Sequence, residues 1–267
     1  MSALAPLAAL TGAGFRRYTA YRAAMIGGAF TNAVFGLLRA SVLVATLRSR
    51  GGPVGGYDQS TAVTFAWVTQ ALIAVVEMFT WNEIAQRVRT GDIAVDLSRP
   101  IDPQLAWAAA DLGRAAAVVL PRAAPILLVG AATTGLALPT AATPYLLGAV
   151  SVTLATLLSF ACRWAVNLVA FWIVEIRGVL GFYVSVSTTL SGLVLPVTWF
   201  PPWLSALARA TPFPAMVQVP ADVLIGRVTG AAALQALGVQ ALWLIAALAL
   251  GRFVLARGRR RLVVQGG

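Results

Sequence analysis

An all-α integral membrane protein with six transmembrane helices is the architecture to expect from this chain. Six strongly apolar stretches lie between Ile26 and Phe253, and the arginines gather in every second gap between them. Apolar residues make up 59% of the 267 and charged residues 11%, against roughly 45–50% and 25% in soluble domains. A soluble fold of this length has too little interior for that much apolar surface. Helices of about 20 residues would each span about 30 Å of hydrocarbon.

At the N-terminal end, Phe15, Tyr18, Tyr21 and Met25 recur at helical spacing, while Arg16, Arg17 and Arg22 make residues 1–23 too polar to span. It reads as an interfacial helix with its arginines toward headgroups, or else as a frayed tail. Next comes a transmembrane domain at 24–254, with spans expected at Ala24–Leu47, Thr61–Trp81, Ala115–Leu136, Tyr145–Val169, Leu180–Val197 and Ala231–Val254. Asn32 and Arg39 inside the first span, and its length, argue against a cleaved signal peptide. The glycine-rich gap Arg48–Ser60 and the uncharged gap Ala137–Pro144 read as plain turns. No internal repeat is evident.

Two loops carry more information. In the loop 82–114, Glu83 and Arg87 stand at the i,i+4 spacing that allows pairing on a short amphipathic helix. Gly91 is placed to end that helix, Pro100 and Pro103 break the chain, and Asp102 is placed to cap a second helix leading into the third span. The result suits either a docking knob for a cytosolic partner or a plain polar connector. From Gly192 to Gly230 there are six prolines, two tryptophans and two phenylalanines, with no apolar run of spanning length. Two short helices, Pro202–Ala210 and Ala215–Ile225, are expected there as a re-entrant segment (199–226) dipping into the outer leaflet. Trp199, Phe200 and Trp203 anchor it at headgroup level. With Pro196 and Phe213 they form either an outer gate or a static aromatic belt. A basic tail, 255–267, closes the chain.

Orientation is set by the arginines. Fifteen lie in the first segment, in or beside the second and fourth gaps, and at the tail; Arg48, Arg50, Arg209 and Arg227 lie in the opposite gaps, and Arg39 inside the first span. That bias places both termini in the cytoplasm. The net charge of +11 therefore reads as orientation and contact with anionic lipid. Because the arginines are dispersed over several loops, nucleic-acid binding is not expected.

The chemistry is bounded by absences. No lysine and no histidine occur, and Cys162 is the single cysteine. A P-loop requires its lysine, so ATP cannot be bound in that way by this chain. Cys/His metal sites, histidine-based triads and intramolecular disulfides are likewise out of reach. No catalytic, cofactor or metal site is expected. Asp92 and Asp96 are the only closely spaced carboxylates a lipid-modifying enzyme would have, and Glu77 the one intramembrane acid for a proton-coupled carrier. Glu77 serves equally as an attractor for a cationic substrate or as the partner of a nearby arginine. Arg39 reads as bundle-facing or snorkelling. Phe65, Trp67, Phe79 and Trp81, with Phe182 and Tyr183, either line an aromatic passage suited to hydrophobic cations or pack and face lipid. Gln70, Asn167, Gln235 and Gln240 read as interhelical hydrogen-bonding residues.

Two strings resemble a known family. One is Arg89, Gly91, Ile93, Leu97 and Pro100. The other is Ser191-Gly192, Pro196, Phe200-Pro201, Trp203-Leu204, Pro212-Phe213, Pro220 and Gly226. Together with the segment order over nearly the whole chain, they resemble the permease subunit of type-2 ATP-binding-cassette (ABC) exporters. The nearest subgroup is that of bacterial permeases whose relatives are linked to drug and viologen efflux. The resemblance implies a coupling helix after the second span, which places Glu83, Arg87, Arg89, Gly91 and Asp92 against an ATPase. It implies two ATPase subunits carrying ATP and Mg, and a second permease, identical or paralogous. It also implies residence in the bacterial cytoplasmic membrane and export of hydrophobic or amphiphilic compounds, cationic drug-like ones included.

Overall fold

The computed structural model of the chain describes residues 4–20, 22–79, 82–173 and 175–261. Tyr21, Trp81 and the tail from 262 to 267 lie outside the described residues. Among the described residues the fold is helical throughout, with no strand. In order the helices are α1 (Leu4–Thr19), α2 (Arg22–Ser49), α3 (Gln59–Val76), α4 (Glu83–Thr90), α5 (Ile93–Ser98) and α6 (Pro103–Val118). Then come α7 (Ala124–Thr133), α8 (Thr143–Asn167), α9 (Arg177–Leu190), α10 (Pro202–Arg209), α11 (Gln218–Leu224) and α12 (Gly230–Gly258).

Among the described residues, five stretches are long and apolar enough to cross a membrane: Met25–Ser49, Gln59–Val76, Pro103–Thr133, Thr143–Phe171 and Gly230–Arg261. The expected fifth span is the exception. Its helix, α9, has 14 residues, about 21 Å at 1.5 Å per residue. The third stretch starts well before the expected Ala115. Asp102 accepts from the Leu105 N–H at 3.0 Å and Pro103 occupies the first turn, so the helix is launched there. The loop expected over 82–114 thus ends at Asp102. Pro121 lacks an N–H to continue the ladder, and a π-turn at Val119–Ala123 joins α6 to α7 around it.

The packing centre is α3. Fourteen of its 18 residues are buried, so it is enclosed on all sides, by α2, α6, α7, α8 and α11. Asp58 caps it by accepting from the Thr61 N–H at 2.8 Å. The Trp67 ring lies in a slot between Gly36 of α2 and Gly130 of α7, where a Cβ on either glycine would collide with it. Its indole donates to Thr134 Oγ1 at 2.9 Å. By contrast, α2 and α12 expose Ile26, Phe30, Leu38, Leu242, Ile245 and Phe253. So continuous an apolar exterior suits lipid and not water.

Two pairings orient the bundle. Helices α8 and α12 run parallel: Ser151 meets Gln240, Trp164 packs at Gly251 and Phe171 at Gly258. The chain between them therefore returns to the end at which α8 began. Helix α1 lies antiparallel along α6, with Gly14 against the Ala110 carbonyl and Gly113 against the Thr11 carbonyl. Any side chain at either glycine would force the two backbones apart.

Candidate functional site

Helix α4 is held to the bundle by its apolar face and by a borrowed cap. Ile84 is buried among Phe160, Trp164, Leu168 and Leu255, and Ala85 among Ala170 and Ile176. Asn82 makes no side-chain cap. Instead Asn167 of α8 accepts from the Ala85 N–H at 3.2 Å, while its own amide donates to the Arg163 carbonyl at 2.8 Å. The orphan donor of the α4 N-terminus is thus satisfied from another helix. Gly91 ends α4 with φ +84°, in the left-handed region expected for it.

The Glu83–Arg87 pair expected from spacing does not form. Arg87 turns back on buried Asp96, donating from Nε at 2.6 Å and Nη2 at 3.1 Å, with its guanidinium over the Trp107 ring. Glu83 instead faces Arg17 of α1 at 3.4 Å. A two-donor, charge-assisted contact with a buried carboxylate outweighs an exposed i,i+4 pair worth about 0.3–0.5 kcal/mol. Asp92 accepts from Thr90 Oγ1 at 2.7 Å, so Asp92 and Asp96 are separately engaged and form no carboxylate dyad. What remains on the outside of α4, α5 and their ends is Gln86, Arg89, Thr90, Gly91, Asp92, Val95, Ser98 and Arg99.

Behind this face lies an ionic spine. Helix α3 stops at Val76, short of the expected Trp81, and Glu77 adopts φ +49°. Arg114 of α6 supplies the reason. Its Nη1 and Nη2 donate to the carbonyls of Ala74 and Val75 at 3.0 and 2.9 Å, and Ser159 Oγ of α8 donates to the Glu77 carbonyl at 2.8 Å. Arg114 is itself fixed by Asp111 at 2.6 Å, and Asp111 also takes Arg163 of α8 at 2.9 Å. Glu77 faces Arg114 at 3.7 Å. Three helices are therefore tied together at one level, immediately before the chain enters α4.

Of this spine, sequence reasoning offers only Glu77 as the partner of a nearby arginine. It counts Arg114 and Arg163 among the orienting cations in or beside the gaps, yet their side chains are 4% and 2% exposed. The signal available is the i,i+3 spacing of Asp111 and Arg114.

The aromatic residues are not brought to one wall. Phe65 is fully buried, edge-on to Tyr57 at 5.3 Å, and Trp67 fills the glycine slot. Phe79 is partly exposed near the α4 end, and Trp81 lies outside the described residues. On α9, Phe182 is 73% exposed whereas Tyr183 packs edge-on against Phe213 at 6.0 Å. Arg39 faces the bundle and donates to Thr69 Oγ1 of α3 at 3.0 Å. Gln240 donates to the carbonyls of Ser151 and Ala215, at 3.2 and 2.7 Å. Gln235 is exposed and makes no comparable bridge among the described residues.

At the opposite end, α10 and α11 form near the expected bounds. Pro196 is buried, Phe200 packs with Leu190 and Ala208, and Trp203 is exposed. Trp199 donates to the Val54 carbonyl at 2.8 Å. A polar cluster not anticipated from the sequence joins this segment to the loop before α3. Tyr57 donates to Asp222 at 2.7 Å, and Gln218 donates to both at 2.7 Å. Arg227 donates to Asp222 at 2.7 Å while its guanidinium sits 3.5 Å from the Tyr57 ring centroid. Burial, with the Asp222 carboxylate alongside, pushes the Tyr57 hydroxyl well above the usual tyrosine range.

In comparisons with known proteins, one family model matches: an ABC-2 family transporter protein, over residues 35–266. No curated protein and no solved structure matches the chain.

Proposed function

Since the chain belongs to the ABC-2 transporter family and is a multi-pass membrane permease of that kind, we propose that it is the translocating half of an ATP-driven exporter. ATP and Mg are bound and consumed on two separate ATPase subunits. The cargo is a hydrophobic or amphiphilic compound, cationic drug-like molecules included. A second permease, identical or paralogous, completes the pathway, and the assembly sits in the bacterial cytoplasmic membrane. Both termini face the cytoplasm, with α1 at the inner interface. Helix α9 makes the sixth crossing, supported by the parallel course of α8 and α12. The segment 199–226 is re-entrant from the outer side.

The observation that carries this reading is the build of the α4–α5 elbow. Its inner face is locked to α8 through Asn167 and Ile84, and its outer face presents Arg89, Gly91, Asp92 and Val95. A knob free on one side and rigidly backed on the other can accept a push and pass it on. The spine at Asp111, Arg114 and Arg163 gives the push three helices to act on together. ATP then drives transport to the extent that the ATPase pair favours the outward arrangement over the inward one.

Two other readings lose their supports. The acid needed by a proton-coupled carrier, Glu77, is paired with Arg114, and the two aspartates of a lipid-modifying enzyme are separately engaged. Co-expression with an ABC ATPase subunit from the same organism tests the proposal: the two should co-purify, and reconstituted transport should require both. Transport of the cargo by the purified permease without any ATPase would overturn it.

A further inference from the structure

Arg39 and Arg122 lie inside membrane-spanning stretches without an acid to balance them. Arg39 of α2 is tied to the bundle by one hydrogen bond, from Nη1 to Thr69 Oγ1 at 3.0 Å, while its Nε and Nη2 are buried with no partner. Arg122, in the π-turn before α7, makes no hydrogen bond or ion pair among the described residues, and its Nε is buried. Its guanidinium lies against the α2 backbone at Gly28, where a Cβ would collide with it. Between the two, Asn32 Nδ2 is a further buried donor without a partner. Gly28, Asn32, Phe35 and Arg39 follow one another at spacings of four, three and four, so they share one face of α2. That face runs about 17 Å from Gly28 to Arg39. Phe35, 53% exposed, leaves it open to the outside of the bundle.

The chain has no carboxylate left for these cations. All nine of its acids are among the described residues. Glu77 and Asp111 belong to the spine, Glu83, Asp92 and Asp96 to the elbow, and Asp222 to the Tyr57 cluster. Asp58 and Asp102 cap α3 and α6, and Glu175 meets Arg177. An identical second permease brings the same nine and no other. Gln70 Oε1 of α3 is also buried without a partner, but it is neutral and leaves the charges unbalanced. Ionisable groups at membrane depth are costly, and they mark partners or pathways. The orphans on this face are all donors and two of the three side chains are cations, so the group that completes them is an anion.

On the orientation proposed above, the inner end of this face opens beside an apolar groove of about 440 Å³, between the end of α1, the start of α2 and the π-turn. Met25, Ile26, Ala117, Leu120 and Pro121 are among its lining residues, none of which is charged, and Thr19 is the one polar side chain. The volume falls within the roughly 300–1,000 Å³ of small-molecule sites. Arg122 directly follows Pro121. Arg39 stands ten residues before the end of α2, about 15 Å or half the hydrocarbon thickness.

We propose that this face of α2 binds an anionic amphiphile as cargo. Arg122 receives the anionic head while the apolar tail lies in the groove, and Arg39 takes the head next, at mid-membrane, with Asn32 between them. This rests on the exporter reading and adds to it a cargo class of the charge opposite to a cationic drug. Its test uses the permease alone, with no ATPase and no turnover, so the two readings fail separately.

The purified chain in nonionic detergent is exposed to two photoreactive probes with the same diazirine-bearing alkyl tail, one ending in a carboxylate and the other in a trimethylammonium. Labelled peptides are mapped by mass spectrometry. The carboxylate probe is expected to label the groove and the α2 face at Phe35 in preference to the ammonium probe. Arg122→Gln should lower labelling of the groove about tenfold, the scale of one charge-assisted contact. Arg39→Gln should lower labelling at Phe35 by a similar factor, and Arg209→Gln, on exposed α10, should change neither. The comparison of the two probes on the wild-type chain needs no variant, so it stands even where a variant fails to fold. Equal labelling by the two probes, or undiminished labelling in both α2-face variants, overturns the proposal. Loss of the carboxylate labelling to phosphatidylglycerol at similar concentration also overturns it, since the site would then belong to bilayer lipid.

Discussion

The guanidinium of Arg114 closes the last turn of α3, its Nη2 donating to the Val75 carbonyl at 2.9 Å from a helix 39 residues further along the chain. A helix end normally leaves its final carbonyls to water or to a C-cap. Here they are bound by a charge that Asp111 also holds at 2.6 Å. The end of α3 is thereby made part of α6 and α8.

Arg114→Met should therefore do more than remove an ion pair. It leaves Asp111 and two carbonyls short of a buried partner, and breaking a buried pair on one side costs about 3–5 kcal/mol. Thermal unfolding in detergent should show the loss. Arg114→Lys should recover little, because an ammonium cannot span two carbonyls and a carboxylate in one plane.

Asn167→Ala should free α4 without unfolding the bundle. The Ala85 N–H loses its acceptor, a cost of about 1–3 kcal/mol for a buried unsatisfied group. Amide exchange in 83–90 should rise while that of α3 stays as it was. ATPase binding should weaken in parallel.

Arg89 and Arg87 should behave differently although they are two residues apart. Arg89→Glu changes an exposed surface, so stability should move by no more than about 0.5 kcal/mol while ATPase capture is lost. Arg87→Asp places a second acid against Asp96 and should loosen the elbow itself. The exchange Arg87→Asp with Asp96→Arg should restore elbow protection, measured by limited proteolysis.

Tyr57→Phe should loosen the loop before α3 from α11. One buried hydroxyl bridging Asp222 and Gln218 is removed, for about 1–2 kcal/mol. The pH dependence has a definite sign. The Tyr57 pKa is raised in the fold, so the contact contributes fully below the unfolded tyrosine value of about 10 and is lost as pH rises beyond it. Wild type should thus lose stability above about pH 10 more steeply than Tyr57→Phe, read from unfolding midpoints across alkaline pH.

Much of the architecture could be read from local sequence because its causes are local. Apolar length set the stretches at Met25–Ser49 and Thr143–Phe171, and single-residue chemistry set the caps at Gly91 and Asp102. Prolines at 201, 202 and 212 marked where α10 begins and where the chain breaks after it. The site was legible only in part: residue spacing gave a short helix ended at Gly91, yet it paired Glu83 with the wrong arginine. Only the tertiary structure decided where charges settle, since a guanidinium reaches whatever carboxylate or carbonyl the packing brings near. Arg87 chose Asp96, Arg114 chose the end of α3, and Arg163, beside its gap in the sequence, joined Asp111. Hydrophobic pattern repeats along one helix and can be read there; an ion pair between helices is written in two places at once.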